Sequence, residues 1–232
     1  MNPALRLLSA GAAQGLGNAL APRLRADTGA ELDAAFMPVG ALQEAFLAGE
    51  PCDVVVSTPA MLQQLANDER VDGAGIALLG RVRTGIAVRA GDPAPAIDDP
   101  DRLRAALVAT TRIHVPDLER ATAGIHFANV LRALALYDAL SPKLVTHRSG
   151  AAAMTALAAG SPGAIGCTQV TEIRFIGGVT LVGALPAPFD LATPYAAAVS
   201  SSARDPALAR RFVDILTGPD AAALRRAAGF EP

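Results

Sequence analysis

Gly49-Glu50-Pro51-Cys52-Asp53-Val54-Val55-Val56-Ser57-Thr58-Pro59 reads as a turn, a strand and the first residues of a helix. Val54 to Val56 form a β-branched run with no polar alternation, typical of a strand covered on both faces, as in a parallel sheet. Thr58 before Pro59 is a helix start. The threonine caps, and proline at the first helical position lacks an N–H that would find no partner inside the helix. A doubly covered strand passing straight into a helix is one βα unit.

Working back from this stretch, residues 5–9 are a short apolar run. Residues 15–28 place Leu16, Ala19, Leu20 and Leu24 at helical spacing, and Gly29 stops the helix. Residues 31–36 alternate as a strand, and 40–48 carry Leu42, Ala45 and Phe46 on one helical face. The order is βαβαβα, the signature of a parallel sheet.

Working forward, residues 81–89 form a long extended segment. A second series follows, with helices at 100–109, 121–136 and 150–159 and strands at 112–115, 144–147, 164–167 and 179–182. Residues 195–200 are again extended, and helices at 206–216 and 220–228 close the chain. A crossover near 85 and a return near 195 imply one α/β lobe inserted within another. The expected division is 1–82 plus 197–232 for lobe I and 83–196 for lobe II, with two hinge crossovers and an interlobe ligand cleft. No repeat period is visible, and the turn at 91–95 is the single linker-like segment.

Composition excludes several classes. The 232 residues are 51% hydrophobic and 18% charged, enough apolar matter for a packed core and too much for a disordered chain. No run offers about 18 consecutive large apolar residues, so no membrane insertion is expected. A net charge of −2 argues against nucleic acid as a partner, since phosphate contacts need clustered Lys and Arg. Cys52 and Cys167 form no C-x-x-C pair and read as reduced, buried thiols, a disulfide between them being the alternative. Arg6, Leu7-Leu8 and Ala19-Leu20-Ala21 loosely imitate a secretory leader. The middle of that segment, with Gly11, Gln14, Gly15, Gly17 and Asn18, is too polar and glycine-rich for one. The chain therefore reads as mature from its first residues: cytoplasmic as it stands, periplasmic if a leader has been removed.

Gly11-Ala12-Ala13-Gln14-Gly15-Leu16-Gly17 has the spacing G-x-x-x-G-x-G, not the dinucleotide fingerprint. The acid expected at the next strand end is missing from Phe36-Met37-Pro38-Val39. No cofactor is expected. A glycine-rich turn from strand to helix still exposes N–H groups at a positive helix end, so tight turn and anion seat are equal readings. His114, His126 and His147 have no metal-ligand spacing, and no metal is expected. His126 reads as a packed or surface residue, whereas His114, on a strand leading to Asp117, is a candidate to face a cleft. No G-x-S-x-G elbow is present. The arginines carry more. Arg81, Arg83 and Arg89 line the crossover, and Arg120 and Arg148 precede helix starts, where guanidinium groups suit carboxylate or phosphate oxygens. Arg81 and Arg83 alternate and so share one side of the strand. Solvated arginines at element ends are the alternative for each.

Ser9-Ala10-Gly11, Gly40-Ala41-Leu42, Gly49-Glu50-Pro51-Cys52-Asp53-Val54 and Ser57 resemble the first lobe of type 2 periplasmic solute-binding proteins, in the branch of the molybdate-binding receptors. Ala123-Gly124-Ile125-His126-Phe127, Gly166, Thr168-Gln169-Val170-Thr171-Glu172-Ile173 and Ala228-Gly229-Phe230-Glu231-Pro232 continue the resemblance to the end of the chain. It implies the two-lobed fold of that family and an anion held by Ser9, Gly11, Gln14, Gly15, Val39, Gly40 and Ser57 in the first lobe. In the second it implies backbone donors at Thr122, Ala123, Gly124, Gly150 and Ala151, with Gln169. The arginines Arg81, Arg83, Arg120 and Arg148, read from their placement, complete the candidate set. The receptors' serine positions fall on Gly15 and on Pro38 or Val39, and their tyrosine on Gln169. Each hydroxyl donor lost from a desolvated oxyanion site costs about 1–3 kcal/mol. The expected function is thus capture of a small carboxylate-bearing anion, with a transport permease as partner if the chain is exported. A molybdate or tungstate receptor is one alternative. The branch is also similar to aconitate isomerase, which implies a second: a cofactor-independent proton shift in an unsaturated tricarboxylate. His114 or Glu172 would carry the proton, with Glu119 a further candidate.

Overall fold

The computed structural model describes residues 4–232. In chain order the elements are β1 (Ala4–Ala10), a 3-10 turn (Gly11–Ala13), α1 (Gln14–Thr28), β2 (Glu31–Met37), α2 (Val39–Leu47), β3 (Val54–Ser57), α3 (Pro59–Asn67) and β4 (Ala77–Arg89). Then come α4 (Pro100–Ala109), β5 (Ile113–Pro116), α5 (Thr122–Ala133), α6 (Tyr137–Leu140), β6 (Leu144–His147), α7 (Gly150–Ala158), β7 (Ile165–Gln169), α8 (Val170–Phe175) and β8 (Val179–Ala184). The chain closes with β9 (Ala192–Val199), α9 (Pro206–Thr217) and α10 (Ala222–Ala228). It divides into two compact units, one running to Val82 and resuming at Thr193–Pro232, the other spanning Arg83–Ala192.

In the first unit the strand order is β2-β1-β3-β9, and β4, next to β9 in that order, carries the chain onward. β1 is parallel to both β2 and β3, and β9 runs antiparallel to β3. All four residues of β3 are buried, as its β-branched run requires. Val55 joins Leu8, Leu42, Met61, Leu62 and Leu65 in one core. The Thr58 hydroxyl accepts from the Met61 N–H, and Pro59 opens α3. Gly29 ends α1 in the left-handed conformation, φ 73°, with its N–H bonded to the Arg25 carbonyl. α9 and α10 pack on α1, which is how the last residues join this unit.

In the second unit β7 lies between β4 and β5, antiparallel to the first and parallel to the second. β6 pairs with β5, and β8 with β4. One face buries Ile86, Val115, Cys167 and, from α5, Phe127 and Leu131. The opposite face buries Ala87 beneath Ala153, Met154 and Leu157 of α7. Both cysteines are free and buried, and burial pushes the Cys52 thiol up to about 12 and Cys167 higher still.

Two expectations need correction. The helix expected over 121–136 ends at Ala133, because Ala135 adopts a left-handed conformation at φ 52°. The N–H of Leu136 reaches back to Leu131 and that of Ala135 to Arg132, closing the helix without a glycine. Residues 170–175, to which no element was assigned, form α8 directly after β7. Val170, Thr171 and Ile173 are β-branched and dilute the helical signal there. Among the described residues, no helix is long and apolar enough to cross a membrane.

Candidate functional site

In a parallel sheet, ligands collect beyond the carboxyl ends of the strands, where the following helices begin. In the first unit, β1 passes through the Gly11–Ala13 turn into α1, and β2 passes through Pro38 into α2. Neither helix start receives a side-chain cap. Gln14 and Gly15 open α1, and Val39 and Gly40 open α2. Gly15, Val39 and Gly40 bring no side-chain oxygen to compete for first-turn N–H groups, while the Gln14 N–H is bonded to the Gly11 carbonyl of the preceding turn. The two serines are turned inward. Ser9 is fully buried and donates to the Ala10 carbonyl at 3.0 Å, and the Ser57 hydroxyl lies 2.9 Å from Met61 Sδ. Arg81 is exposed, and its backbone pairs with that of Glu231.

In the second unit, α5 also starts without a side-chain cap, with Thr122, Ala123 and Gly124 as its first three residues. Gly124 lies against the backbone carbonyls of Asp117 and Pro116, leaving no room for a Cβ. The Asp117 carboxylate accepts the N–H groups of Glu119 and Arg120 and so shapes the approach to the helix. Gln169, at the end of β7, is 3% exposed, and Arg83 is half-buried. Arg120 and Arg148 are exposed. Arg89 is committed to structure: it pairs with Asp92 at 2.7 Å and reaches the Gly160 carbonyl.

The start of α7 differs. Ser149 caps it through the Ala152 N–H, and the Glu172 carboxylate accepts the Thr168 hydroxyl at 2.5 Å and the N–H groups of Ala151, Gln169 and Gly150. The Gly150 and Ala151 donors, expected to face a ligand, are thus directed to a carboxylate of the chain itself. Burial pushes the Glu172 carboxyl above the usual range, against the pull of those four donors.

His114 sits elsewhere. Its Nδ1 is 3.0 Å from His147 Nε2, and the ring centroids are 5.2 Å apart, so the nitrogens lie nearly on the line joining the rings. That geometry is a shared N–H···N bond. Burial lowers the pKa of both, and for His114 the charges of His147 and Arg112 lower it further. His114 Nε2 approaches Gly160, beyond the last turn of α7, whereas Glu172 lies against Gly150 at its first. Ten residues at 1.5 Å each put about 15 Å between these two places, so the two proton-carrier candidates are not brought together. His126, on α5, bonds through Nε2 to the Phe189 carbonyl at 2.7 Å and is a packing residue.

His147 and Thr168 were missed from sequence. Thr168 stands four residues before Glu172, a spacing that could have flagged it. His147 carries no local signal, because its partner lies 33 residues away. Among the described residues, no group of three or more His, Cys, Asp or Glu is placed to hold a metal ion.

A family model described as bacterial extracellular solute-binding protein matches residues 5–231. Aconitate isomerase from a Pseudomonas species is 28% identical, across 98% of this chain and 87% of its own length. The molybdate-binding protein ModA of Escherichia coli is 27% identical, across 94% and 86%. The periplasmic molybdate-binding protein of Azotobacter vinelandii shares the fold, with a TM-score of 0.82 at 21% identity over 98% of this chain and 99% of that one.

Proposed function

Because the chain belongs to the bacterial extracellular solute-binding protein family, we propose that it captures a small organic anion carrying one or more carboxylates. One observation carries this reading. The 3-10 turn Gly11–Ala13 that leads into α1, and the helices α2 and α5, which follow the parallel strands β1, β2 and β5, start without a side-chain cap. By contrast α3, α4, α7 and α9 are capped by Thr58, Asp99, Ser149 and Asp205, and the other uncapped starts, those of α6, α8 and α10, belong to helices of seven residues or fewer. An uncapped helix start offers N–H groups and a positive dipole end to an anion. The choice of a carboxylate over a metal oxyanion rests on the side chains. Gly15 and Val39 bring no hydroxyl to α1 and α2, Ser9 and Ser57 are bonded internally, and the half-buried Arg83 suits a planar carboxylate. Where the chain is exported, a transport permease is its partner. Calorimetry against molybdate, tungstate, sulfate and a panel of di- and tricarboxylates tests the reading. Saturable binding of a carboxylate is expected; micromolar molybdate binding with no response to carboxylates overturns it.

The likeness to aconitate isomerase across 98% of the chain favours a second reading, an isomerase. Such an enzyme would take a proton from one carbon of an unsaturated tricarboxylate and return it to another as the double bond shifts. Arg83 and the N–H groups of Thr122–Gly124 would stabilise the charge that develops on the neighbouring carboxylate. The internal bonding of both His114 and Glu172 supports the receptor over the enzyme. Incubation with cis- or trans-aconitate in deuterated water, followed by NMR, separates them: turnover or label uptake marks the isomerase, binding without either marks the receptor.

A further inference from the structure

Among the described residues, three buried hydroxyls have no hydrogen-bond partner: Thr84, Thr171 and Thr193. Thr84 is fully buried on β4, and the sheet register fixes which face it occupies. It stands opposite Gln169, as Ile86 stands opposite Cys167 two residues on. Ile86 and Cys167 belong to the core formed with Phe127 and Leu131 of α5. Side chains two apart on a strand share a face, so Thr84 and Gln169 also lie on the α5 side of the sheet.

Their height in the unit follows as well. β5 and β7 run parallel with Ile113 beside Ile165, which sets Gln169 level with Asp117. Gly124, in the first turn of α5, packs on the carbonyls of Asp117 and Pro116. The uncapped start of α5 therefore stands at the level of Gln169 and Thr84. The segment between them joins the two: the Thr84 N–H bonds to the Leu191 carbonyl at 3.2 Å, and His126 of α5 to that of Phe189 at 2.7 Å.

A buried hydroxyl without a partner destabilises a fold, so valine would suit this strand position better on stability alone. We propose that the Thr84 hydroxyl reads the ligand, donating a hydrogen bond to an oxygen of the bound carboxylate beside Gln169 and the first turn of α5. This assignment rests on the anion-binding reading above.

The test titrates the wild type, Thr84→Val and Thr84→Ser with citrate, cis-aconitate, sulfate and molybdate, and melts each protein without anion. For the anion that the wild type binds, Thr84→Val should bind about 10- to 100-fold more weakly, while Thr84→Ser stays within about threefold. Anion-free Thr84→Val should melt at or above the wild-type temperature; Thr84→Ala replaces it if the valine variant does not fold. Thr84→Val binding within about twofold of wild type would overturn the role of Thr84 and leave the anion reading standing. A wild type that binds none of the four anions, or only sulfate or molybdate, sinks the carboxylate reading and this assignment with it.

Discussion

The carboxylate of Glu172 lies where a Cβ on Gly150 would have to go. Thr168 Oγ1 presses on the same point, so the first turn of α7 is closed around an anion from its own chain. Glycine at 150 is needed for close approach, not for an unusual backbone conformation.

Gly150→Ala should therefore destabilise the protein by about 1–3 kcal/mol, because the added methyl forces the Glu172 carboxylate off its donors. In a Glu172→Ala background the same change should cost less, since one of the two obstructing groups is gone and Thr168 is released from its bond to the carboxylate. Urea denaturation of the four proteins of this cycle measures the coupling; additive effects would show that Glu172 is not the obstacle.

The same carboxylate shapes the pH profile. Its folded pKa is raised, so the folded state holds the proton more readily than the unfolded chain. The stability it contributes is fully present below the unfolded value of 4.5 and is lost as pH rises through the folded one. Relative to wild type, Glu172→Gln should thus gain stability as pH rises across that window, as denaturation midpoints over a pH series would read.

His114 and His147 act in the opposite direction. Both folded pKa values are lowered from 6.5, so the unfolded chain binds more protons. Their contribution is present above the unfolded value and is lost as pH falls from there through the folded ones. A second proton on the pair also sets two N–H donors face to face. Wild type should lose stability between about pH 7 and about pH 5, and a His114→Gln/His147→Gln variant should lose less. Melting curves at both pH values check this.

Asp53 ties the start of β3 to the return of the chain after β9. Its carboxylate accepts the N–H of Arg6 at 2.8 Å and that of Arg204 at 2.9 Å, with the Arg204 guanidinium at 3.2 Å. Burial opposes the charge, but these donors prevail and hold the carboxyl below 3.8. The contribution is present above the unfolded value and fails as pH falls through the folded one. Asp53→Asn should cost about 1–3 kcal/mol at neutral pH, and its acid unfolding should begin from a lower plateau. Chemical denaturation at neutral and acid pH measures both.

The sequence by itself determined β3 and α3, because burial of Val54–Val56 and the Thr58-Pro59 start are written in adjacent residues. The helices expected at 100–109 and 206–216 are present, the second one residue longer, and each opens on an Asp cap followed by proline. The candidate site was legible in part. The glycine-rich turn after β1 offered exposed N–H groups at a helix start as one of two equal readings, and that helix start has no side-chain cap, a local property of the loop. Only the tertiary structure decided what each polar side chain meets. Glu172 reaches Gly150 across 22 positions of sequence and His114 reaches His147 across 33, through helix packing and strand register. Neither pairing leaves a periodic or capping signal, since a hydrogen bond between distant residues depends on where their backbones are carried and not on their neighbours in the chain.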